Sequence, residues 1–141
     1  MLHHGSCLCK KITFLITQDI HTIYYCHCSL CRKQSGTSSN VATLIHNKNF
    51  EWLSGFELIK TYKKETGFTA NFCTNCGSTL PNHVPSLALM WIPLGSLDNE
   101  ITPKIRLSFH IQSKAHWSQA MKVDQEYLAL PSKNDLERIF H

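Results

Sequence analysis

The seven cysteines are the residues of this chain whose type and spacing could do chemistry. They form three short groups with none left over, CLC at 7–9, CHCSLC at 26–31 and CTNC at 73–76. In a reducing compartment such thiols are metal ligands or catalytic groups more often than a disulfide framework, and an odd number cannot all pair within one chain. The pattern therefore predicts at least one zinc site built from thiolates.

The compartment is predicted from the N-terminus and from the apolar runs. The N-terminal residues MLHHGSCLCKK include no apolar segment of the kind that directs secretion. The longest apolar run, at 87–94, is broken by Pro93 and is far shorter than the roughly 20 residues of a membrane helix. We therefore expect a cytoplasmic protein with no membrane partner.

Composition predicts a single globular domain over residues 1–141. Hydrophobic residues make up 43% of the chain and charged residues 17%, which is typical of a folded protein with its own core. The net charge of +4 comes from scattered side chains, so the clustered basic surface of a nucleic-acid-binding protein is absent from the pattern. The charge favours a small anionic ligand or an acidic partner, and we expect no nucleic acid.

Alternating apolar residues predict a mainly β domain. In KITFLI at 11–16, the side chains of Ile12, Phe14 and Ile16 share one face, as in a half-buried strand. Six further segments have strand character, at 22–25, 41–45, 56–62, 68–72, 87–92 and 106–111. Gly, Asn, Ser and Pro separate them, as in domains built from short strands.

Helix is expected in two places. Ser29 can cap a short helix that runs through Lys33 and ends at Gly36. Asn134 can cap a C-terminal helix that runs through Phe140. The rest of the chain is predicted to be strand or loop.

Strand geometry makes each CxC pair a plausible half of a metal site. Residues i and i+2 of a strand point to the same side, so Cys7 and Cys9 would face together, as would Cys26 and Cys28 with His27 opposite. Their Cα atoms would lie roughly 6 to 7 Å apart. Sulfurs on a tetrahedral zinc come within roughly 4 Å of each other, a gap that inward-leaning side chains close.

The CTNC group at 73–76 has the form of a zinc knuckle, in which Gly77 can take a positive φ and let backbone amides approach the sulfurs. The knuckle supplies two ligands and the CLC pair supplies two more. Such a closed four-thiolate site is structural. Its predicted ligands are Cys7, Cys9, Cys73 and Cys76.

The remaining thiols, Cys26, Cys28 and Cys31, form a three-thiolate set. Three protein ligands with one open position are the arrangement of a catalytic zinc, where water or substrate completes the coordination. Spacing alone also permits the knuckle to join Cys26 and Cys28. It permits one structural zinc as well, with the other cysteines as buried apolar fillers.

A longer set of motifs runs through most of the chain. Its residues are GSCLC at 5–9, Ile12, Phe14, CHCSLCRK at 26–33, Ser35, Gly36, Phe72, Cys73, CGS at 76–78, GSLD at 95–98, His110, Ile111, Lys114 and Trp117. In type and order these motifs resemble the glutathione-dependent formaldehyde-activating family, also called the centromere protein V family, although Lys10 stands where many members have glycine. The resemblance implies an all-β, mainly antiparallel, zinc-bearing fold of the Mss4 type with little helix.

The resemblance also implies an activity and a division of the thiols. The family's activity is that of a carbon-sulfur lyase, written in reverse as the addition of glutathione to formaldehyde to give S-hydroxymethylglutathione. A non-catalytic zinc module that binds a protein partner is the alternative. By resemblance, the structural zinc is held by Cys7, Cys9, Cys73 and Cys76, and the catalytic zinc by Cys26, Cys28 and Cys31.

Three residues next to the second thiol group have predicted roles. Arg32 and Lys33 follow Cys31 directly and could pair with the carboxylates of a glutathione-like thiol. They could equally be a solvated basic pair at the end of a turn. His27 would point away from the metal, which favours a structural or supporting role over direct ligation.

Four other residues are predicted to be structural. His110 lies on a predicted strand and is expected to be a hydrogen-bonded core histidine rather than a catalyst. Trp91 and Trp117 are expected to be core or edge aromatics. Asp98 is expected to form a turn after Gly95.

Overall fold

The computed structural model describes residues 1–118 and 124–140, and short strands dominate both the sequence and the fold. The strands are β1 (His3–Ser6), β2 (Thr13–Ile16), β3 (Thr22–Cys26), β4 (Asn40–His46), β5 (Phe50–Ser54), β6 (Ile59–Lys63), β7 (Thr69–Cys73), β8 (Thr79–Leu80), β9 (Asn82–His83), β10 (Leu89–Pro93) and β11 (Ile105–Phe109). The α-helices are α1 (Ser29–Ser35) and α2 (Lys133–Ile139). Single turns of 3-10 helix lie at Asn47–Asn49, Phe56–Leu58, Leu94–Ser96, Ile111–Ser113 and His116–Ser118.

The strands form three sheets. A five-stranded sheet has the order β11-β3-β4-β10-β9, and two three-stranded sheets have the orders β1-β2-β5 and β6-β7-β8. The neighbouring strands pair antiparallel throughout, except that β11 pairs with β3 in parallel. The predicted all-β, mainly antiparallel fold with little helix is confirmed.

The main core lies between the five-stranded sheet and the β1-β2-β5 sheet. Phe14 of β2 is fully buried, with its ring centroid 5.4 Å from that of Phe50 and 6.0 Å from that of Trp52. Alternation along β3, β4 and β10 sends one face of the larger sheet toward this core and the other face away from it. The buried residues of the main core are Phe14, Ile16, Ile20, Ile23, Ile45, Met90 and Ile92.

A second, smaller core joins the β1-β2 hairpin to the β6-β7-β8 sheet. Its buried members are Cys7, Ile12, Cys73 and Leu80. Two cysteines of different groups are therefore packed among apolar side chains at the junction of two sheets. Any ion held by these sulfurs would tie the N-terminal hairpin to the middle of the chain.

The strands predicted at 22–25, 41–45, 68–72 and 87–92 correspond to β3, β4, β7 and β10. Several predicted boundaries were wrong, and β10 begins at Leu89 rather than at residue 87. β2 begins at Thr13, because the residues before it form a hairpin turn. Residues 56–58 form a 3-10 turn, and the strand predicted at 106–111 ends at Phe109.

Four strands were missed: the two-residue strands β8 and β9, and the longer strands β1 and β5. The buried positions of β1 are His3 and Gly5, so this strand has no apolar alternation to reveal it. The partly buried positions of β5 are the aromatic residues Phe50 and Trp52, which alternate with exposed Glu51. Both β1 and β5 lie in the sheet that covers the main core.

Both helices exist, but both predicted caps were wrong. The sulfur of Cys28, rather than the hydroxyl of Ser29, accepts the capping hydrogen bond of α1, and Gly36 ends that helix with a φ of 68° as predicted. Ser132, rather than Asn134, caps α2. An N-cap residue needs an extended backbone just outside the helix, which Cys28 and Ser132 have. Within the described residues, no helix is long and apolar enough to cross a bilayer.

Candidate metal centres

The first thiol cluster gathers the CLC and CTNC groups. Its four sulfurs all lie within 4.8 Å of one another. The Cys7 and Cys9 sulfurs are 3.5 Å apart, and those of Cys9 and Cys73 are 3.9 Å apart. Sulfurs bound at about 2.3 Å to one tetrahedral zinc are separated by roughly 4 Å, so this arrangement fits the ion. The cluster consists of Cys7, Cys9, Cys73 and Cys76.

The CLC pair lies in a hairpin turn, so its predicted strand geometry was wrong. The N–H of Cys7 still donates to the carbonyl of Ile12 at 3.1 Å, and the N–H of Lys10 then closes the turn on the carbonyl of Cys7 at 2.9 Å. Lys10 has a φ of 62°, a left-handed conformation that favours glycine. The turn, rather than strand alternation, brings the sulfurs of Cys7 and Cys9 together.

The CTNC knuckle has the predicted form. Cys73 ends β7, and the N–H of Gly77 donates to the Cys73 carbonyl at 2.8 Å. Gly77 has the predicted positive φ, at 77°. This tight turn places the sulfur of Cys76 beside that of Cys73.

The sulfurs of the first cluster differ in their electrostatic surroundings. Burial raises the pKa of Cys7 to about 11. The hydroxyl of Ser78, 3.2 Å from the Cys76 sulfur, and the backbone N–H of Ser78 lower the pKa of Cys76 to about 5. The N–H of Leu8 donates to the same hydroxyl at 2.9 Å and fixes its position. Ser78 is therefore a supporting residue of the cluster that the sequence analysis missed.

The second thiol cluster consists of Cys26, Cys28 and Cys31, whose sulfurs lie within 4.8 Å of one another. Cys26 ends β3, Cys28 caps α1 and Cys31 lies in its first turn. Burial raises the pKa of Cys26 and of Cys31. Burial would also raise the pKa of Cys28, but the Cys31 N–H at 3.4 Å and the neighbouring thiols lower it overall. This cluster offers three sulfurs where the first offers four.

A cavity of about 280 Å³ adjoins the second cluster, and Cys26 and Cys31 are part of its wall. Its floor is the face of the five-stranded sheet that points away from the main core. Tyr24 and Cys26 share that face as residues i and i+2 of β3, next to Leu44 of β4 and Trp91 of β10. Residues 67–69, where the β6–β7 turn leads into β7, and residues 82–85, in and just after β9, form the opposite side.

Tyr24 is the hydroxyl-bearing residue on the cavity floor next to the second cluster. Its ring stacks on that of Phe109, with centroids 4.7 Å apart. Burial raises the pKa of the Tyr24 phenol, and charge on Cys31 and Cys26 raises it further. The phenol is therefore neutral at physiological pH and able to donate a hydrogen bond into the cavity. Its i, i+2 relation to Cys26 was the sequence signal for it.

Arg32 and Lys33 lie beside the second cluster but do not line the cavity. The Nε of Arg32 donates to the carbonyl of His27 at 3.3 Å, and Lys33 is exposed. Among the described residues, neither side chain forms a salt bridge with a carboxylate. Their predicted role in ligand binding stays a prediction.

His27 is buried and is not a member of either sulfur cluster. Its Nε2 lies 3.0 Å from the hydroxyl of Ser108, and its backbone N–H donates to the carbonyl of Phe109 at 3.0 Å. These contacts attach the loop of the second cluster to β11. They fit the predicted structural role.

The prediction for His110 was wrong. It is exposed and follows the end of β11, with a left-handed φ of 56°. Trp91 is half-buried in the cavity wall, whereas Trp117 is 64% exposed. Asp98 accepts a hydrogen bond from the hydroxyl of Ser6 at 2.7 Å, and so links the loop after β10 to β1.

Comparison with known proteins adds independent findings. The family described as "Glutathione-dependent formaldehyde-activating enzyme" matches residues 2–114, which is more than half of the chain. A Halomonas elongata protein named "Putative glutathione-dependent formaldehyde-activating enzyme" is 26% identical over 134 residues, covering 89% of this chain and 85% of that protein. A crystal structure of a Rhodobacter sphaeroides protein has a similar fold, with a TM-score of 0.59 and 18% identity over 74% of this chain and 98% of that one.

Proposed function

Since this chain belongs to the glutathione-dependent formaldehyde-activating enzyme family, we propose that it is a zinc-dependent carbon-sulfur lyase. Its substrate is an adduct of an aldehyde with glutathione or another small thiol, of which S-hydroxymethylglutathione is the formaldehyde case. One observation carries the proposal: a cluster of three thiols, one short of a full tetrahedral set, forms part of the wall of a cavity. That combination suits a site where substrate completes the coordination.

The two clusters would have different tasks. The four sulfurs of the first cluster would hold a structural zinc between two sheets, where the ion strengthens the small core. The second cluster would hold the catalytic zinc. When bound by three thiolates, zinc can take up a substrate thiol and keep it deprotonated near neutral pH.

The reaction breaks one bond and moves one proton. In the lyase direction the carbon-sulfur bond of the adduct breaks, the adduct hydroxyl becomes the aldehyde carbonyl, and its proton ends on the released thiol. No oxidant or reductant is required. The reverse direction needs a group that stabilises charge on the carbonyl oxygen. The neutral hydroxyl of Tyr24, on the cavity floor close to Cys26, is the candidate donor.

Arg32 and Lys33 are the proposed partners of the ligand's carboxylates. They lie on α1, directly after Cys31, and no carboxylate of the described residues neutralises them. The peptide part of glutathione would then lie along α1, outside the cavity. The chain would act as a single domain over residues 1–141 in the cytoplasm, without a membrane or nucleic-acid partner.

A second candidate function is a non-catalytic zinc module that binds a protein partner. The observation in its favour is the edge strand β11. Its side chains Ile105, Leu107 and Phe109 are 51%, 40% and 41% exposed. An exposed apolar edge strand can pair with a strand from another protein. This candidate predicts zinc without thiol-dependent turnover.

Exchange between free and adduct glutathione, followed by NMR in mixtures of glutathione and formaldehyde, separates the two functions. Zinc-loaded wild type should accelerate exchange over the spontaneous rate, and Cys28→Ser should lose about 100-fold or more of that acceleration while its fold is retained. Thr37→Ala, just beyond α1, is the matched control and should keep full activity. Full activity in Cys28→Ser would contradict the proposed catalytic role. No acceleration with any thiol and aldehyde pair would favour the binding module.

A further inference from the structure

The cavity beside the second cluster has a mainly apolar wall. None of the described residues that line it is Lys, Arg, Asp or Glu. A cavity of this composition receives an apolar group more readily than a charged one. The apolar and aromatic residues of its wall are Tyr24, Leu44, Phe68, Val84, Pro85 and Trp91.

The asparagine amides in the wall donate within the protein. Asn40 donates one hydrogen bond to the Oε1 of Gln34 at 3.1 Å. The Nδ2 of Asn82 donates to the carbonyl of Thr69 at 2.8 Å and to its hydroxyl at 2.7 Å, so both donors of this amide are used. The surface that faces a ligand is mainly that of the apolar and aromatic side chains of the wall.

The cavity is also much larger than formaldehyde requires. A volume of about 280 Å³ corresponds to at least nine waters at their liquid volume of roughly 30 Å³ each. The hydroxymethyl group of a formaldehyde adduct has two heavy atoms and would leave most of this space without ligand contacts. A phenyl-sized group would fill much more of it.

Resting on the lyase function proposed above, we propose that the preferred substrate is the thiol adduct of an aldehyde with a bulky apolar side chain. Cys26 and Cys31 form one part of the cavity wall, and Leu44 and Trp91 form another. The reacting carbon and sulfur would lie at the thiol cluster while the side chain of the aldehyde contacts Leu44 and Trp91. The charged part of the thiol would stay outside, because no lysine or arginine in the described part of the chain lines the cavity.

Stable thioethers test this preference without turnover. S-benzylglutathione and S-methylglutathione share the peptide part and differ only in the group that would enter the cavity. In calorimetric titration of the zinc-loaded protein, S-benzylglutathione should bind about tenfold or more tightly than S-methylglutathione, since the phenyl ring is removed from water. Equal affinities within about twofold, or no binding of either compound, would overturn the proposal.

Two variants locate the preference. Leu44→Trp fills the cavity from its floor and should reduce the ratio of affinities to about twofold or less, with the affinity for S-methylglutathione unchanged. Leu53→Trp is the matched control, because Leu53 is also a partly exposed strand leucine, 49% against 38%, and does not line the cavity. A preference that survives Leu44→Trp would overturn the proposal. If Leu44→Trp melts early, Leu44→Gln makes the same test with little change in volume.

Turnover measured beside binding distinguishes the two proposals. In one outcome, wild type prefers S-benzylglutathione, Leu44→Trp loses that preference, and no aldehyde and glutathione pair is turned over. This outcome would refute the lyase function and support the proposed apolar group in the cavity. Turnover of formaldehyde without any preference for S-benzylglutathione would support the lyase function and refute the proposed preference for a bulky apolar aldehyde. Faster turnover of phenylacetaldehyde than of formaldehyde, lost in Leu44→Trp, would support both.

Discussion

Gly5 lies under the ring of Phe14, and this contact predicts a large effect of a single methyl group. The two residues are paired across strands β1 and β2. A Cβ built on Gly5 would lie 2.5 Å from the Cε1 of Phe14 and closer still to two other ring atoms. Ordinary carbon contacts are about 3.5 Å or more, so the ring would have to move by about 1.5 Å to clear its nearest atom. The glycine of the GSCLC motif is therefore needed for packing.

Phe14 has no space to move into. It is fully buried, and the rings of Phe50 and Trp52 pack against it. Overpacking of this kind costs about 1 to 3 kcal/mol. For a chain of this size that corresponds to a fall in melting temperature of about 4 to 12 °C. We therefore expect Gly5→Ala to fold, with a clearly lower melting temperature.

Gly95→Ala is the matched control, because a Cβ at Gly95 would meet no atom within 4 Å. Its free energy of unfolding should stay within about 0.5 kcal/mol of wild type. Thermal and urea unfolding of both variants, at equal zinc content, give the comparison. If Gly5→Ala melts within about 2 °C of Gly95→Ala, the close packing of the ring on Gly5 is refuted.

Three further predictions concern the thiol clusters and the cavity. Lys10→Gly should raise the melting temperature by about 1 to 4 °C, because the left-handed backbone of Lys10 costs roughly 1 kcal/mol that glycine largely avoids. The control is Lys11→Gly, whose backbone is not left-handed, and a melting temperature lowered equally in both variants would contradict the prediction. Tyr24→Phe should lower turnover by about 100-fold without changing the melt, since the phenol would no longer donate to the reacting oxygen. Tyr62→Phe, which changes an exposed tyrosine, is the control, and equal turnover in the two variants would refute the role of Tyr24 as a hydrogen-bond donor. Ser78→Ala removes one of the donors that lower the pKa of Cys76 to about 5. The pH midpoint for alkylation of Cys76 in metal-free protein, measured by peptide mass spectrometry, should therefore rise, and an unchanged midpoint would show that the hydroxyl has no such effect.

Much of the thiol arrangement could be predicted from spacing, because its determinants are local. A CxxC followed by glycine forms a tight turn almost independently of the rest of the chain, and Gly77 has the expected φ. The structure also brings together the groups of four and three thiols that the resemblance implied, whereas spacing alone also allowed the knuckle to join Cys26 and Cys28. The CLC pair shows the limit of the method, since a strand and a hairpin turn both place two sulfurs on one side.

The cavity could not be predicted, because it depends on contacts between distant parts of the chain. Its floor combines residues of β3, β4 and β10, which become neighbours only once the sheet order is known. Its opposite side comes from residues 67–69 and 82–85. The position of Tyr24 is the exception that the sequence could have predicted, because Tyr24 shares a strand face with Cys26. Trp91 was expected to be a core or edge aromatic, since no local pattern distinguishes a core from a cavity wall.

The error at His110 also has a physical cause. The alternation of β11 continues by residue type into Ile111, so the sequence predicts a longer strand. The strand instead ends at Phe109, two residues earlier, because the left-handed backbone of His110 turns the chain into a 3-10 helix. Histidine adopts this conformation more often than most residues, but alternation alone does not reveal it.

The zinc content of the purified chain tests the central claim most directly. Elemental analysis of protein prepared without chelator should give about two zinc ions per chain in wild type and about one in Cys28→Ser, which should retain its fold. Cys73→Ser should lose the other ion and melt at a much lower temperature, since Cys73 is fully buried in the small core. About one zinc in both wild type and Cys28→Ser would contradict the account, because the three-thiol cluster would then hold no zinc.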